Sequence, residues 1–395
     1  QAKLKESNSY CKKLLSDIWA FFLDDRFKES LFDQDRNRFC FKNGFINTKT
    51  MRDCDYFWFF PHDKERYITQ HVSYNFVRKD FVNKEIDFLH SNLRPCFDSQ
   101  ETYINMIQAK SYCLSGTNPR KLFFINVGKV GDNGKCVVDD LMRYTLQNDV
   151  YYGKADPTMI LVEGKENISG EGAKPTLYAN MWKKLVAMGE PAQGSHLSAA
   201  NVKLLRGGEA IPVRDLYGKP IFEVPKFVGE IAGSNFDIGL DNFDEALKKS
   251  VVRIEWTKQF IANTEDEVTD TIKLRNDNLK PTISSDPENK IKCAWMWIML
   301  DNYTDKFEMC DAFKLSNEEA REEQDHVKDF VEECVDILED IDTVNGDGEK
   351  YVMNIMSMYK LARSYYNDNG YKNIPPRMLF INELNTHLPK DRIFL

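Results

Sequence analysis

The sequence predicts an α/β protein, and three observations carry that reading. An apolar run, KLFFINVG (121–128), leads into a glycine-containing turn, GKVGDNGKC (128–136). The stretch after the turn, CVVDDLMRYTL, places Val137, Val138, Leu141 and Met142 on one helical face. Further apolar runs of strand length then alternate with helical stretches, which is the pattern of an α/β domain. The 395 residues, 42% hydrophobic and 29% charged, give room for two or three packed domains.

Residues 1–116 read as a mixed α+β region. KLLSDIWAFFLDDRF (13–27) has helical spacing, RFCFKNGFINTKT (38–50) reads as strand, Asn-Gly turn and strand, and QETYINMIQAKSYCLSG (100–116) reads as a helix ended by glycine. Residues 117–262 hold the strand–turn–helix unit. Strands are then expected at TMILVEG (158–164), KKLVAMGE (183–190), KFVGEIAGSN (226–235) and KSVVRIEW (249–256), with a hairpin at AIPVRDLYGKPIFEV (210–224). Residues 263–395 read as mainly helical, and the acidic block 316–350 reads as a solvated helix face.

Composition narrows the function classes. No run of 18 apolar residues exists to span a membrane, and no apolar signal core opens the chain. The first residue is Gln1, so a piece of a longer protein is expected. The nine cysteines include no CxxC pair, and the spacing of Cys40, Cys54, His62 and His71 matches no standard zinc pattern. A reducing, intracellular compartment fits this usage. The net charge of −9 argues against a general nucleic-acid coat but leaves room for a small local basic surface.

The turn departs twice from the usual ATP loop, which reads Gly, four residues, Gly-Lys, then Ser or Thr. Lys129 stands where the first glycine belongs, with Gly128 one residue upstream, and Cys136 stands in place of the hydroxyl. Gly131 and Gly134 are expected to supply the turn, Asp132 to lie within it and Asn133 to hold it. Lys135 reaches the β- and γ-phosphates as a point charge. A thiol at 136 is a poor ligand for Mg²⁺, which prefers oxygen, and weaker metal binding is expected. Two other readings stay open: Cys136 as a nucleophile at a helix N-terminus, and a plain glycine turn without ligand.

An ATPase also needs a carboxylate on a neighbouring strand. KKLVAMGEP offers Glu190 for water and metal, with Gly189 where a second acid usually stands, and Asn235 at the end of EIAGSN is placed to orient water. Tyr217-Gly218-Lys219 puts Lys219 at a hairpin tip, with Arg214 and Lys203 nearby. The cluster reads as a basic finger for a phosphate backbone, or as an ordinary surface hairpin.

These pieces in this order resemble the superfamily 3 helicases, specifically the poxvirus-type primase–helicases of large DNA viruses, phages and plasmids. The resemblance lies in SYCLSGTNPRKLFFINVGKVGDNGKC, KKLVAMGEP, KLLRGGEAIPVRDLYGKP, REEQDHVKDFVEECV and MYKLARSYYNDNGYKNIPPRMLFINEL, preceded by FKNGFINTKT and RYITQHVSYNF. It covers most of the chain. It implies an AAA+-like ATPase domain behind an N-terminal α+β collar, with a winged-helix-like C-terminal end. It further implies a homohexameric ring around single-stranded or forked DNA, other replication proteins as partners, and 3′ to 5′ unwinding. The setting implied is a host-cell cytoplasm or viral replication site. Lys135 matches the phosphate-loop lysine, Glu190 the catalytic carboxylate, Asn235 the water-sensing residue and Lys219 with its neighbours the DNA hairpin. The family's trans-acting arginine pair falls on Lys248-Lys249, with Arg253 four residues on as a substitute. No primase carboxylate cluster is visible, so no primase activity is expected. Two other classes stay open: a ring that binds nucleotide and scaffolds on DNA with little hydrolysis, and a small-molecule kinase.

Overall fold

The computed structural model describes residues 33–54, 59–63, 68–162, 168, 172–239, 247, 249–262, 268–322, 326–335, 355–369 and 377–388. The expected helix at 13–27, Lys248 and the acidic block beyond 335 lie outside the described residues.

The centre is a five-stranded, all-parallel sheet built from β4 (Phe123–Val127), β5 (Tyr152–Ala155), β6 (Leu185–Met188), β9 (Val228–Ser234) and β10 (Val251–Glu255). Its order is β10-β4-β9-β6-β5. The chain leaves β4 toward one edge, returns to β9 beside it, then crosses to β10 on the other side. The carboxyl ends of β4 and β9 therefore flank a topological switch point, where open α/β sheets bind ligands. The remaining strands are peripheral. They are the antiparallel set β1 (Arg38–Phe41), β2 (Gly44–Asn47) and β3 (Phe59–Phe60), the hairpin β7 (Ile211–Val213) and β8 (Ile221–Glu223), and the parallel pair β11 (Gln259–Ile261) and β12 (Ile272–Leu274).

Alternation along the central strands feeds two cores. Phe123, Ile125 and Val127 face one side with Val186, Met188 and Ile231, covered by helices Pro175–Asn180 and Ala199–Arg206. Leu122 and Phe124 face the other side with Ala187, Val228, Val252 and Ile254. That second core also takes in Phe39, Phe41 and Leu89, Met106 and Leu114, Val138 and Leu141, and Trp295 and Met299. The helices that carry most of them are α1 (Asn83–Leu93), α2 (Gln100–Ser111), α3 (Lys135–Leu146) and α4 (Lys290–Asp301). Segments before, within and after the strand–turn–helix unit thus share one interior. Near the C-terminus, helices His326–Cys334, Ile355–Asp368 and Arg377–His387 pack on a small core of their own around Phe330, Ala362, Tyr366 and Phe380.

One expected strand is not one. TMILVEG begins with a 3-10 turn, Pro157–Ile160, because Pro157 sits at its first position and the Asp156 carboxylate caps Thr158 N–H at 2.9 Å. The strand lies just upstream, at YGKA. The other strand expectations are met, including the hairpin, whose register pairs Ile211 with Glu223 and Val213 with Ile221.

The N-terminal region is tied to the sheet by Lys184, at the foot of β6. Its ammonium donates to the Arg36 carbonyl at 2.8 Å and the Leu114 carbonyl at 3.0 Å. Burial pushes its pKa down to about 8. A lysine depressed in the folded state costs stability below that value, here about 3 kcal/mol, and the cost fades as pH rises from 8 toward 10.5. Urea unfolding at pH 7 and pH 9.5 should therefore show the wild type gaining on Lys184→Met as the pH rises.

Candidate nucleotide site

The turn after β4 wraps the start of α3. Two of its residues take left-handed backbone, Asp132 at φ 51° and Gly134 at φ 98°. Lys129 does not, so the bend has no need of a glycine there. Gly128 is the position that does. A methyl group on it would overlap the Asn133 amide and stand 3.0 Å from the Trp256 carbonyl and 3.1 Å from Lys135 Nζ. The first glycine of the loop is thus displaced by one residue. Gly131, expected to supply the turn, does not need to be glycine: it has no left-handed backbone, and a methyl there would meet nothing within 4 Å. Asn133 holds the turn as expected, donating to the Val130 carbonyl at 2.7 Å and accepting from Lys135 N–H at 3.4 Å.

Lys135 is buried at the junction of β4 and β9. Its ammonium donates to the Gly128 carbonyl at 3.0 Å, the Ser234 carbonyl at 2.9 Å and Asn235 Oδ1 at 3.1 Å. Burial lowers its pKa, while the neighbouring Cys136 and Glu190 oppose that shift. The geometry depends on an irregularity in β9: pairing with β4 slips between Ile125 and Val127, and Val127 falls opposite Ser234. Gly233, in that slip, leaves space for the lysine stem, since a methyl there would lie 3.3 Å from Lys135 Cε. Glu190, two residues past β6, is exposed, and its Oε1 accepts from Asn235 N–H at 2.8 Å. Lys135, Asn235 and Glu190, far apart in sequence, therefore meet at one end of the sheet. Cys136 is exposed in the first turn of α3.

Beside the loop lies a cavity of about 530 Å³. Its apolar wall is Leu93, Pro95, Val137, Phe260, Leu274 and Leu279, and its polar rim includes Asn92, Arg275, Asn276 and Lys280. Asp132, Asn133, Gly134 and Cys136 close one side. The Phe260 amide donates to the Asp132 carbonyl at 2.8 Å and fixes this wall to the loop. Nothing in the sequence signalled the cavity, because its walls come from three distant segments.

The remaining predicted site residues fall into two other places. Tyr217 is fully exposed at the hairpin tip with φ 60°, next to the exposed Lys219, and the half-buried Arg214 sits at the base. Lys203 is not grouped with them. It lines a cleft of about 970 Å³ with Lys249, Arg120, Lys121, Arg206 and Lys314, at the amino ends of β4 and β10. That is the end of the sheet opposite the loop. Arg253 belongs to neither place. It is buried on β10 and pairs with Asp237 at 2.5 Å within its own chain, so the expectation that it reaches a neighbouring subunit does not fit its position. Of Cys40, Cys54, His62 and His71, whose spacing matches no standard zinc pattern, His62 and His71 each contact a backbone carbonyl, at 2.6 and 3.0 Å. Among the described residues no group of three or more His, Cys, Asp or Glu could hold a metal ion. No described helix is long and apolar enough to cross a membrane.

No family model matches the sequence. One curated relative is "Putative helicase L207/L206" of Acanthamoeba polyphaga mimivirus, 24% identical over 301 residues. The match covers 73% of this chain but only 29% of that protein's length. Among solved structures, the apo C-terminal region of NrS-1 superposes with a TM-score of 0.38 at 14% identity, covering 78% of this chain and 62% of that one. The JCV helicase superposes at 0.32 and 13% identity, covering 64% and 62%.

The loop geometry makes Gly134 a sensitive position. A methyl group there would lie 2.8 Å from the Cys96 sulfur, and φ 98° is unfavourable for any other residue. Gly134→Ala should lower unfolding free energy by about 1–3 kcal/mol. Adding Cys96→Ala should recover the steric part and leave the backbone part, as a double-mutant cycle in urea would read.

Proposed function

We propose that this chain is an ATP-driven helicase or translocase acting on single-stranded DNA, with Lys135, Asn235 and Glu190 as its hydrolytic centre. The observation that carries the reading is the meeting of those three side chains at the carboxyl ends of β4, β9 and β6. The glycine turn and the start of α3 supply the backbone N–H groups that such a centre needs for phosphates. The mimivirus relative supports the choice of helicase over kinase.

In this reading the phosphates lie against Gly128, Gly131, Asp132, Asn133 and Gly134, and Lys135 exchanges its carbonyl partners for phosphate oxygens. The base and ribose occupy the adjacent cavity, whose volume falls in the range of about 300–1,000 Å³ common for small-ligand sites. Glu190 acts as the base that polarises water, and Asn235 orients that water while holding Glu190 through its own N–H. Mg²⁺ accompanies the nucleotide and neutralises charge on the phosphates when bound. Glu190, an exposed carboxylate, fits that ion, and the Cys136 thiol fits it poorly, so waters and phosphate oxygens would supply most ligands.

The basic cleft at the other end of the sheet suits a trans-acting role. In a homohexameric ring, Lys249, with Lys248 beside it in sequence, would reach the nucleotide of an adjoining subunit, and Arg120, Lys121 and Arg206 would add to the same positive field. A lysine lacks the planar fork of an arginine, so its contribution to hydrolysis is smaller. The hairpin tip, with Tyr217 and Lys219 exposed, serves as the DNA contact: the ring stacks on a base and the ammonium meets a phosphate. Superfamily 3 membership, a winged-helix C-terminal end, 3′ to 5′ polarity and other replication proteins as partners belong to the same proposal. The alternative is a DNA-bound scaffold with little hydrolysis, which Cys136 favours.

Lys135→Ala should abolish ATP hydrolysis that single-stranded DNA stimulates, measured as phosphate release. Hydrolysis that persists in Lys135→Ala would end the proposal. Binding without hydrolysis in the wild type, restored by Cys136→Ser, would turn it to the scaffold.

Lys249→Ala should keep ADP affinity and lose hydrolysis by at least about tenfold. Mixing it with Lys135→Ala subunits should restore part of the activity, because each supplies what the other lacks. No recovery on mixing would exclude action in trans.

A further inference from the structure

The phosphate loop rests on Trp256. This side chain is 1% exposed and lies beneath Gly134, where an added methyl would stand 3.4 Å from the indole. Its backbone braces the other end of the loop. The Trp256 N–H donates to the Val127 carbonyl at 2.8 Å, and a methyl on Gly128, after overlapping the Asn133 amide, would stand 3.0 Å from the Trp256 carbonyl. Gly134 begins α3 without any side-chain cap. Besides the Asn133 bonds, Gly134 meets the ring below it and the Cys96 sulfur beside it.

The indole is itself held on two sides. Phe97 packs on it with ring centroids 4.8 Å apart, and Nε1–H donates to Asn126 Oδ1 at 3.4 Å. Asn126 then donates to the Ile231 carbonyl at 2.9 Å and to Glu230 Oε2 at 3.3 Å. Glu230 is ion-paired with Lys110 of α2. All of these polar side chains are buried. A polar chain through an apolar interior is costly, and a site that depends on it is where such a cost is retained.

We propose that Trp256 is a positioning residue for nucleotide binding, and that Asn126, Glu230 and Lys110 set the place of its indole and so the position of the loop amides. The inference rests on the reading that the loop takes nucleotide phosphates. None of these four side chains is placed to touch the nucleotide, so their effect passes through Gly128 and Gly134.

The test is MgADP binding to the full chain by calorimetry, with ATP hydrolysis and tryptophan emission measured alongside. Trp256→Phe keeps an aromatic ring in the slot and removes the N–H donor. It should weaken MgADP binding about five- to twentyfold, raising KM more than it lowers kcat. Wild-type emission should change on adding MgADP, and that change should vanish in Trp256→Phe although five other tryptophans remain. Binding within twofold of wild type, or an emission change that survives the substitution, overturns the proposal. If Trp256→Phe fails to fold, Asn126→Ala asks the same question with the indole intact. Weakened MgADP binding there supports the relay, and unchanged binding overturns it. A wild type that binds no nucleotide removes the reading of the loop and this role with it. A wild type and a Trp256→Phe that bind equally well overturn this role alone.

Discussion

The ammonium of Lys135, bonded to the Gly128 and Ser234 carbonyls and to Asn235 Oδ1, is the tie on which the site depends. One charge joins the turn after β4 to the end of β9, and Asn235 passes the connection to Glu190 through its backbone N–H. Without that tie, three strand ends would present three unrelated side chains. The parallel sheet makes the tie possible, because parallel strands bring all their carboxyl ends to one edge. β9 must lie between β4 and β6 for the distances to close, and it does so with a slip in register that turns Ser234 toward the lysine.

The two cores divide the labour of holding that edge. The smaller side of the sheet packs under helix Ala199–Arg206, which leads into the exposed hairpin. The larger side recruits α1, α2 and α4 from both ends of the chain. Around the loop these meet as a clamp. The Asp98 carboxylate receives Lys258 and Thr257, and Phe260 N–H binds Asp132. Burial pushes the Asp98 carboxyl up, but the bonds from Lys258 and Thr257 outweigh it and hold the pKa below the usual value. Besides its own Asn133 and Lys135, the loop is therefore braced by groups about 30 residues before Gly128 and more than 120 after Cys136.

Local signals were legible in the sequence. KLFFINVG, the Asn43-Gly44 turn, the face Val137, Val138, Leu141 and Met142, and the hairpin all follow from periodicity and turn chemistry within a dozen residues. Glu190 and Asn235 stand out in the sequence because each ends an apolar run. What was not legible depends on assembly. The place of β9 in the sheet, the lining of the 530 Å³ cavity, the packing of Trp256 under Gly134 and the burial of Arg253 beside Asp237 require partners that sequence distance hides. TMILVEG has the apolar run of a strand, while the capped Asp156-Pro157 step commits the chain to a turn. The loop's first required glycine lies one residue upstream of where the pattern counts it, because the close approach of Asn133 falls on Gly128. Lys203 is near the hairpin along the chain and faces another surface in space.

The shared interior has a consequence for how such a chain can change over generations. Phe39, Leu89 and Met106 fill the same core as Phe124 and Trp256. A genetic exchange that joined a foreign leader at residue 116 would bare one whole side of the central sheet. The strand–turn–helix unit can thus be inherited only together with the stretch before it, so what looks like a movable cassette in sequence is bound to its upstream neighbour.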